Sequence, residues 1–377
     1  MSYYTEADCR IEDFAALCAR QVDPAHIPHA AAVESNVVVY DMSAQGAALS
    51  DPAQRRTLLA EWADVLGEGP GALVLKGAVA PAAVDAATAV FDRILAEEGG
   101  GSGDHFAKAG ANARIWNSLQ KLCLADPAVF ARYHAAPALD AVAEAWLGPG
   151  YQMTAQVNLV RPGGAAQEGH RDYHLGFMSN DQAARYPAHV HHLSPVLTLQ
   201  GAVAHVDMPV ESGPTKLLPF SQLYGPGYLA YRLPAFRAYF EAHYVQLPLE
   251  KGDALFFNPA LFHAGGQNRT AEVQRMANLL QISSPMGRAM ETADRDAMAR
   301  ALYPVLAGAG LDQAGRAAVI AASAEGYAFP TNLDSDPPVG GLAPETMAAM
   351  MARMLDVGAT AGEFGAALDA WAARRAP

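Results

Sequence analysis

Cysteine is scarce in this chain: Cys9, Cys18 and Cys123 are the only three in 377 residues. That number cannot build a disulfide framework. Charge is also thin, at 17% Asp, Glu, Lys and Arg, below the roughly 25% of an ordinary soluble protein. Positive charge is the scarcer sign, with 26 basic against 39 acidic residues and a net charge of −13. A nucleic-acid binder requires a basic footprint, so that class is a poor fit. Long apolar runs are missing as well. The longest candidates, residues 78–91 and 317–329, are Ala-rich, interrupted by Asp85 and Glu325, and short of the roughly 20 residues that span a bilayer. The first ten residues carry Glu6 and Asp8 and no basic-then-apolar signal pattern. These absences lead to the expectation of a soluble cytoplasmic protein.

Hydrophobic residues, by contrast, reach 51%, which excludes disorder and supplies a large core. Residues 51–66 (DPAQRRTLLAEWADVL) predict a helix with an Asp N-cap followed by Pro, and residues 72–76 (ALVLK) a buried strand. Further helices are expected over 81–97, 114–124 and 137–147, with a glycine break at 99–103. From Tyr151 the texture changes, as Val, Thr, Phe and Tyr rise and Pro/Gly punctuation becomes frequent. Strands are predicted over 152–161, 196–207, 215–219, 244–248, 253–258 and 275–283, the spacing of an antiparallel sandwich or barrel. After Arg288 the Ala-rich helical pattern returns, broken by the loop 329–341 (FPTNLDSDPPVGG). The expected plan is one catalytic domain over 1–377: a helical region with a short strand (1–150), a β-core (151–288) and a helical extension (289–377). The loop 329–341 and the C-terminal helices could form a lid or a homodimer contact.

The segment QEGHRDYHLGF (167–177) carries the most chemistry. His170 and Asp172 are two apart, so on extended chain both side chains project to one face and can converge on one ion. A third ligand has to come from a distant strand, and His263, 91 residues after Asp172, closes a strand-and-turn unit in GDALFFNPALFHAGG. Two His and one carboxylate on one face of an iron leave three positions open for a bidentate co-substrate and oxygen. Twelve residues further on, Arg275 opens another strand. Its fork of donors suits a carboxylate.

This order of motifs resembles the phytanoyl-CoA dioxygenase family. It comprises H-x-D, a Ser212-Gly213-Pro214 turn, Pro219-Phe220-Ser221, G-D-x-x-x-F at 252–257, then His263 and Arg275. The resemblance covers roughly 72–283. It implies an α+β fold with a mainly β core, a double-stranded β-helix (jelly-roll, cupin-like) barrel flanked by N- and C-terminal helices. It also implies an Fe(II)- and 2-oxoglutarate-dependent dioxygenase, with His170, Asp172 and His263 as the catalytic metal ligands and Arg275 on the distal carboxylate of 2-oxoglutarate. Gln156 and Asn158 match a polar strand that faces the metal and are further cofactor-binding candidates. Two departures stand out. Gln222 occupies the place where many members have His, and Gly265 the place where many have a hydroxyl two residues after the distal His. The expected reaction uses O2 to hydroxylate an unactivated C–H of a small molecule, releasing succinate and carbon dioxide. The retained Asp172 favours hydroxylation or desaturation over halogenation. The rival readings are a non-redox cupin-type isomerase, lyase or binder and a zinc hydrolase. An oxygenase has use for Arg275, whereas a non-oxygenase has none. No Lys/Arg run suits a CoA moiety, so a smaller substrate is expected, with neither nucleic acid nor membrane as partner.

Other residues receive plainer readings. His174 is expected to line the substrate side or bind a neighbouring backbone group. His189, His191 and His192 read as a solvated loop cluster, His205 and Asp207 as a structural pair, and Arg171 as a surface or salt-bridge residue. Lys108, Arg114, Trp116 and Asn117 fall in a stretch that reaches over the pocket mouth in the family, so one or two of them should touch substrate. Met347, Met350, Met351 and Met354, at helical spacing, are expected to pack.

Overall fold

The structure, a computed structural model, describes residues 2–98, 112–308 and 310–376. The expected glycine break at 99–103 and Lys108 lie outside the described residues. Ten strands are found among them: β1 (Ala32–Glu34), β2 (Val37–Asp41), β3 (Ala72–Lys76), β4 (Asn112–Ile115), β5 (Gln152–Val160), β6 (Thr198–Ala204), β7 (Lys216–Leu218), β8 (Ala254–Phe257), β9 (Phe262–Ala264) and β10 (Arg275–Ser283). Eight form one sheet in the order β1-β2-β3-β8-β6-β10-β5-β4, antiparallel except for the β2–β3 pair. β7 and β9 make a second sheet, which single bridges extend to His170 on one side and Val245 on the other. The antiparallel core with flanking helices is thus present, but the large sheet is not closed on itself.

Strand alternation assigns the two faces of the large sheet. On β10, Met276, Leu280 and Ile282 join Met153, Ala155 and Val157 of β5, and Leu199 and Val203 of β6, in a core packed against the helices. The alternate residues Arg275, Ala277, Leu279 and Gln281, with Gln156, Asn158, Gln200, Ala202 and Ala204, line a cavity on the opposite face. A second apolar cluster, including Val74, Ala204, Leu217, Leu255 and Phe257, closes the space between the two sheets.

The helix expected over 51–66 runs Pro52–Gly67, and the Asp51 side chain caps it by accepting from the N–H groups of Ala53 and Gln54. The helices Pro81–Glu97 and Pro137–Leu147 form as expected. The helix expected over 114–124 is corrected. Residues 112–115 pair with β5 as β4, Asn117 takes a left-handed φ of 50°, and the helix begins only at Ser118. Residues 244–248 touch β7 at a single bridge and form no strand. The strand expected over 196–207 shortens to β6, because Pro195 lies in a tight turn ahead of it. The N-terminal 150 residues also contribute more than one short strand: β1 to β4 make up half of the large sheet. The helices Arg295–Gly308, Gln313–Ser323, Met347–Asp356 and Ala361–Arg375 follow the core, and Met347, Met350, Met351 and Met354 are all buried, as their spacing predicts. Among the described residues no helix is long and apolar enough to cross a membrane.

Candidate metal centre and co-substrate pocket

His170 and His263 face each other across a backbone bridge, in which each N–H donates to the other residue's carbonyl at 3.0 and 3.1 Å. Each imidazole also meets a carbonyl two residues earlier, Nδ1 to Glu168 O and Nδ1 to Leu261 O, both at 2.8 Å. A carbonyl only accepts, so Nδ1 carries the proton and Nε2 presents its lone pair. Both Nε2 atoms point to Asp172, at 3.7 Å from Oδ1 for His170 and 3.4 Å from Oδ2 for His263. The donor atoms of the three residues all lie within 4.8 Å of one another.

Electrostatics prepares these groups for a cation. Burial pushes His170 below its ordinary pKa, so the ring is neutral at pH 7. Burial alone would raise Asp172, but His170, the contact with His263 and a bond from Gln200 outweigh it and hold the carboxyl well below the usual range. The Gln200 Nε2 donates to Oδ2 at 2.5 Å, fixing the carboxylate from β6. Two imidazole nitrogens and one carboxylate oxygen, without sulfur, form a donor set that fits iron(II).

Arg275 opens into the same cavity, whose volume is about 580 Å³. Its Nη1 donates to Ser212 O and Gly266 O, both at 3.0 Å, which leaves Nη2 and Nε for another acceptor. Burial lowers its pKa to about 10, so the guanidinium stays charged at neutral pH. Among the described residues no carboxylate lies within ion-pair distance of it. Gln156 and Asn158 share the cavity face, and Gln156 Oε1 accepts from Arg114 Nη1 at 2.9 Å. Arg114 also stacks over Trp116, and both residues line the cavity. Asn117 is instead spent on Glu291, whose Oε1 accepts from its backbone N–H.

The other histidines read from the sequence, His174, His189, His191, His192 and His205, do not line the cavity. His174 is near Ser194 Oγ (3.2 Å) and does not line the cavity. The expected loop cluster of His189, His191 and His192 is a correction, since it sits on the short helix Ala188–Leu193 with His191 buried against Ala183 O. His205 and Asp207 do not bond each other. His205 contacts Thr88 and Tyr133 in the helix layer, while Asp207 accepts from the Lys251 N–H. Arg171 is a second correction. It is 2% exposed, pairs with no carboxylate among the described residues, donates to Ser221 O and Tyr224 O, and lies over the rings of Tyr228 and Phe262. A Cβ at Gly227 would fall 1.9 Å from its guanidinium carbon, so a glycine makes room for it. The Ser221 departure segment has a structural use, because Ser221 Oγ accepts from the Phe262 N–H at the start of β9.

The sequence profile of the Phytanoyl-CoA dioxygenase (PhyH) family matches residues 67–277. The chain belongs to the phytanoyl-CoA dioxygenase family. Iron and 2-oxoglutarate are the cofactor and co-substrate that go with this membership. A curated relative, the Dioxygenase trt7 of Aspergillus terreus (strain NIH 2624 / FGSC A1156), is 32% identical over 143 residues, 38% of this chain and 44% of that protein. The chain therefore matches less than half the length of that relative. Among solved structures, the non-heme alpha ketoglutarate dependent epimerase SnoN from nogalamycin biosynthesis is 21% identical, with a TM-score of 0.45 over 62% of this chain and 82% of that one. The carbocyclase SnoK from the same biosynthesis is 18% identical, with a TM-score of 0.42 over 57% and 80%. Family membership agrees with the motif order. Sequence reasoning missed two residues that the geometry adds, Gln200 and Gln167. Gln200 gives one weak signal, a polar residue inside the apolar strand LTLQG, while Gln167 gives none.

Proposed function

We propose that this protein is an Fe(II)- and 2-oxoglutarate-dependent dioxygenase that hydroxylates an unactivated C–H of a small-molecule substrate. The observation that carries the reading is the shared cavity. One wall holds the His170–Asp172–His263 donor set, and the other holds a buried guanidinium that no carboxylate among the described residues satisfies. Together with oxygen, the bound metal and 2-oxoglutarate supply the oxidising power, releasing succinate and carbon dioxide.

The chain's own residues do the rest. His170 and His263 hold their Nε2 lone pairs towards Asp172, each locked by its Nδ1–H on a backbone carbonyl. Gln200 keeps the Asp172 carboxylate from rotating. Arg275 orients an acidic co-substrate from the far end, with Gln156 and Asn158 on the adjacent strand as further polar contacts. Phe257, whose ring centroid lies 4.6 Å from that of His263, keeps water from the inner side. A non-redox cupin or a zinc hydrolase has no need of Arg275 at this place.

The test is anaerobic addition of Fe(II) and 2-oxoglutarate, followed by succinate release against a metabolite panel in air. A weak visible charge-transfer band on anaerobic mixing supports the reading, since zinc, with a filled d shell, gives none. Asp172→Ala is expected to remove both the band and succinate release. Full 2-oxoglutarate turnover by Asp172→Ala without added halide would sink the ligand assignment.

A further inference from the structure

Gly265 leaves the co-substrate end of the pocket without the hydroxyl that many family members place there, and the structure shows what fills that space. Gln167, from the stretch ahead of His170, pairs with Gly265 twice: its backbone N–H donates to Gly265 O at 2.8 Å, and its Oε1 accepts from Gly265 N–H at 2.9 Å. A Cβ at position 265 would lie 3.0 Å from that Oε1, a closer approach than an ordinary van der Waals contact. The glycine and the glutamine therefore go together.

The same bond settles the orientation of the amide. Oε1 must be the atom on the Gly265 N–H, so Nε2 is the end left over, and it makes no hydrogen bond among the described residues. Gln167 lines the cavity, as do Gly265, Thr215 and Arg275. Arg275 is fastened to the next residue of the same turn through Gly266 O, so the two side chains hang from consecutive backbone positions. A guanidinium and a primary amide donor at one end of a cavity make an anion cradle.

We propose that Gln167 is a binding residue for the distal carboxylate of 2-oxoglutarate, its Nε2 donating alongside Arg275 in place of a hydroxyl at position 265. This rests on the dioxygenase reading above and deepens it by naming the second anchor of the co-substrate.

The experiment is a binding measurement on the full chain loaded with Mn(II), which holds the site without turnover. Calorimetry gives the Kd of 2-oxoglutarate and of 2-oxobutyrate, a 2-oxo acid lacking the distal carboxylate. Gln167→Ala is expected to weaken 2-oxoglutarate about tenfold, the effect of losing one hydrogen bond to a charged group. The same variant should leave 2-oxobutyrate and Mn(II) affinity within about twofold. Gln167→Glu, which sets a carboxylate against a carboxylate, should lose more than the alanine variant. The double variant Gln167→Ala/Gly265→Ser, which returns a hydroxyl to the emptied space, should recover part of the lost affinity. Equal loss for both 2-oxo acids would overturn the proposal, as would a Gln167→Ala protein that binds 2-oxoglutarate like the wild type. If Arg275→Met also leaves 2-oxoglutarate binding unchanged, the dioxygenase reading falls with it. That pattern is distinct from failure at Gln167 alone.

Discussion

Asp172 faces the lone pairs of two imidazole nitrogens, and the Gln200 amide donates to one of its oxygens. A carboxylate that supplies one ligand atom has a second oxygen that needs a partner, or the side chain swings away from the metal. Gln200→Ala removes that partner and touches neither imidazole. The expected outcome is metal affinity weakened by about 10- to 100-fold, read by Fe(II) or Mn(II) titration, with the folded protein intact. Metal affinity unchanged within twofold would show that backbone geometry alone holds Asp172. The residue scale also shows where sequence reading stopped. Spacing made His170 and Asp172 legible, because alternation on extended chain is local. The distal ligand and Arg275 needed the family's motif order. Gln200 and Gln167 were hidden because their partners, Asp172 and Gly265, are respectively 28 and 98 positions away. Arg171 was misread for a related reason. Among the described residues it pairs with no carboxylate, and two carbonyls and two aromatic faces satisfy it instead, which sequence cannot reveal.

Among the elements, the seam between the large sheet and the helices depends on two neutral histidines. His205, at the end of β6, reaches Thr88 in the helix Pro81–Glu97 and Tyr133 in the helix Pro127–His134, while His134 is buried beside the Phe130 ring. Burial pushes both pKa values down to about 3, against 6.5 for an exposed imidazole. Between those values the unfolded chain takes up two protons that the folded chain refuses. Stability is therefore fully present above about pH 6.5 and falls as the pH drops towards 3, by roughly 1.4 kcal/mol per pH unit for each histidine. Urea midpoints between pH 7.5 and 5 should decline accordingly, and His205→Gln should remove that residue's own share of the slope. A flat acid limb would mean that these rings are protonated in the native state. Elements with strong local signals were legible: the capped helix at Pro52–Gly67, β3, β5 and β10. β4 was not, because its Arg and Asn content reads as helix or loop until β5 pairs with it. β1 and β2 were missed because β2, an all-buried VVVY run, gives no alternation to read.

Over the whole molecule, charge is unevenly shared. The chain carries −13, yet among the described residues its cavity is lined by Arg114, Arg232, Arg237 and Arg275 against two acidic side chains, Glu168 and Asp172. Glu168 is bound to Arg237, and Asp172 belongs to the candidate metal set. Those arginines come from separate segments of the chain, so the absence of a basic run in the sequence did not reveal what the fold brings together. The argument against a large acidic cofactor moiety therefore loses its force, although the cavity volume of about 580 Å³ still favours a compact substrate. A low-dielectric cavity with this excess of guanidinium groups discriminates by sign more than by shape. At the mouth, Arg232 is held by Gly176 O and Asn180 Oδ1 with no carboxylate partner among the described residues, beside the exposed ring of Phe177. Given matched probes on one carbon skeleton, the carboxylate form should stimulate succinate release more than the amine form, by about tenfold at low ionic strength. Raising salt from roughly 0.05 to 0.5 M should narrow that ratio, because the mouth is open to screening ions. Arg232→Met should narrow it further without changing the 2-oxoglutarate requirement. A preference for the amine, or a ratio insensitive to both salt and Arg232, would place substrate selection in the apolar rim of Trp116, Phe177 and Met290 rather than in the field of the arginines.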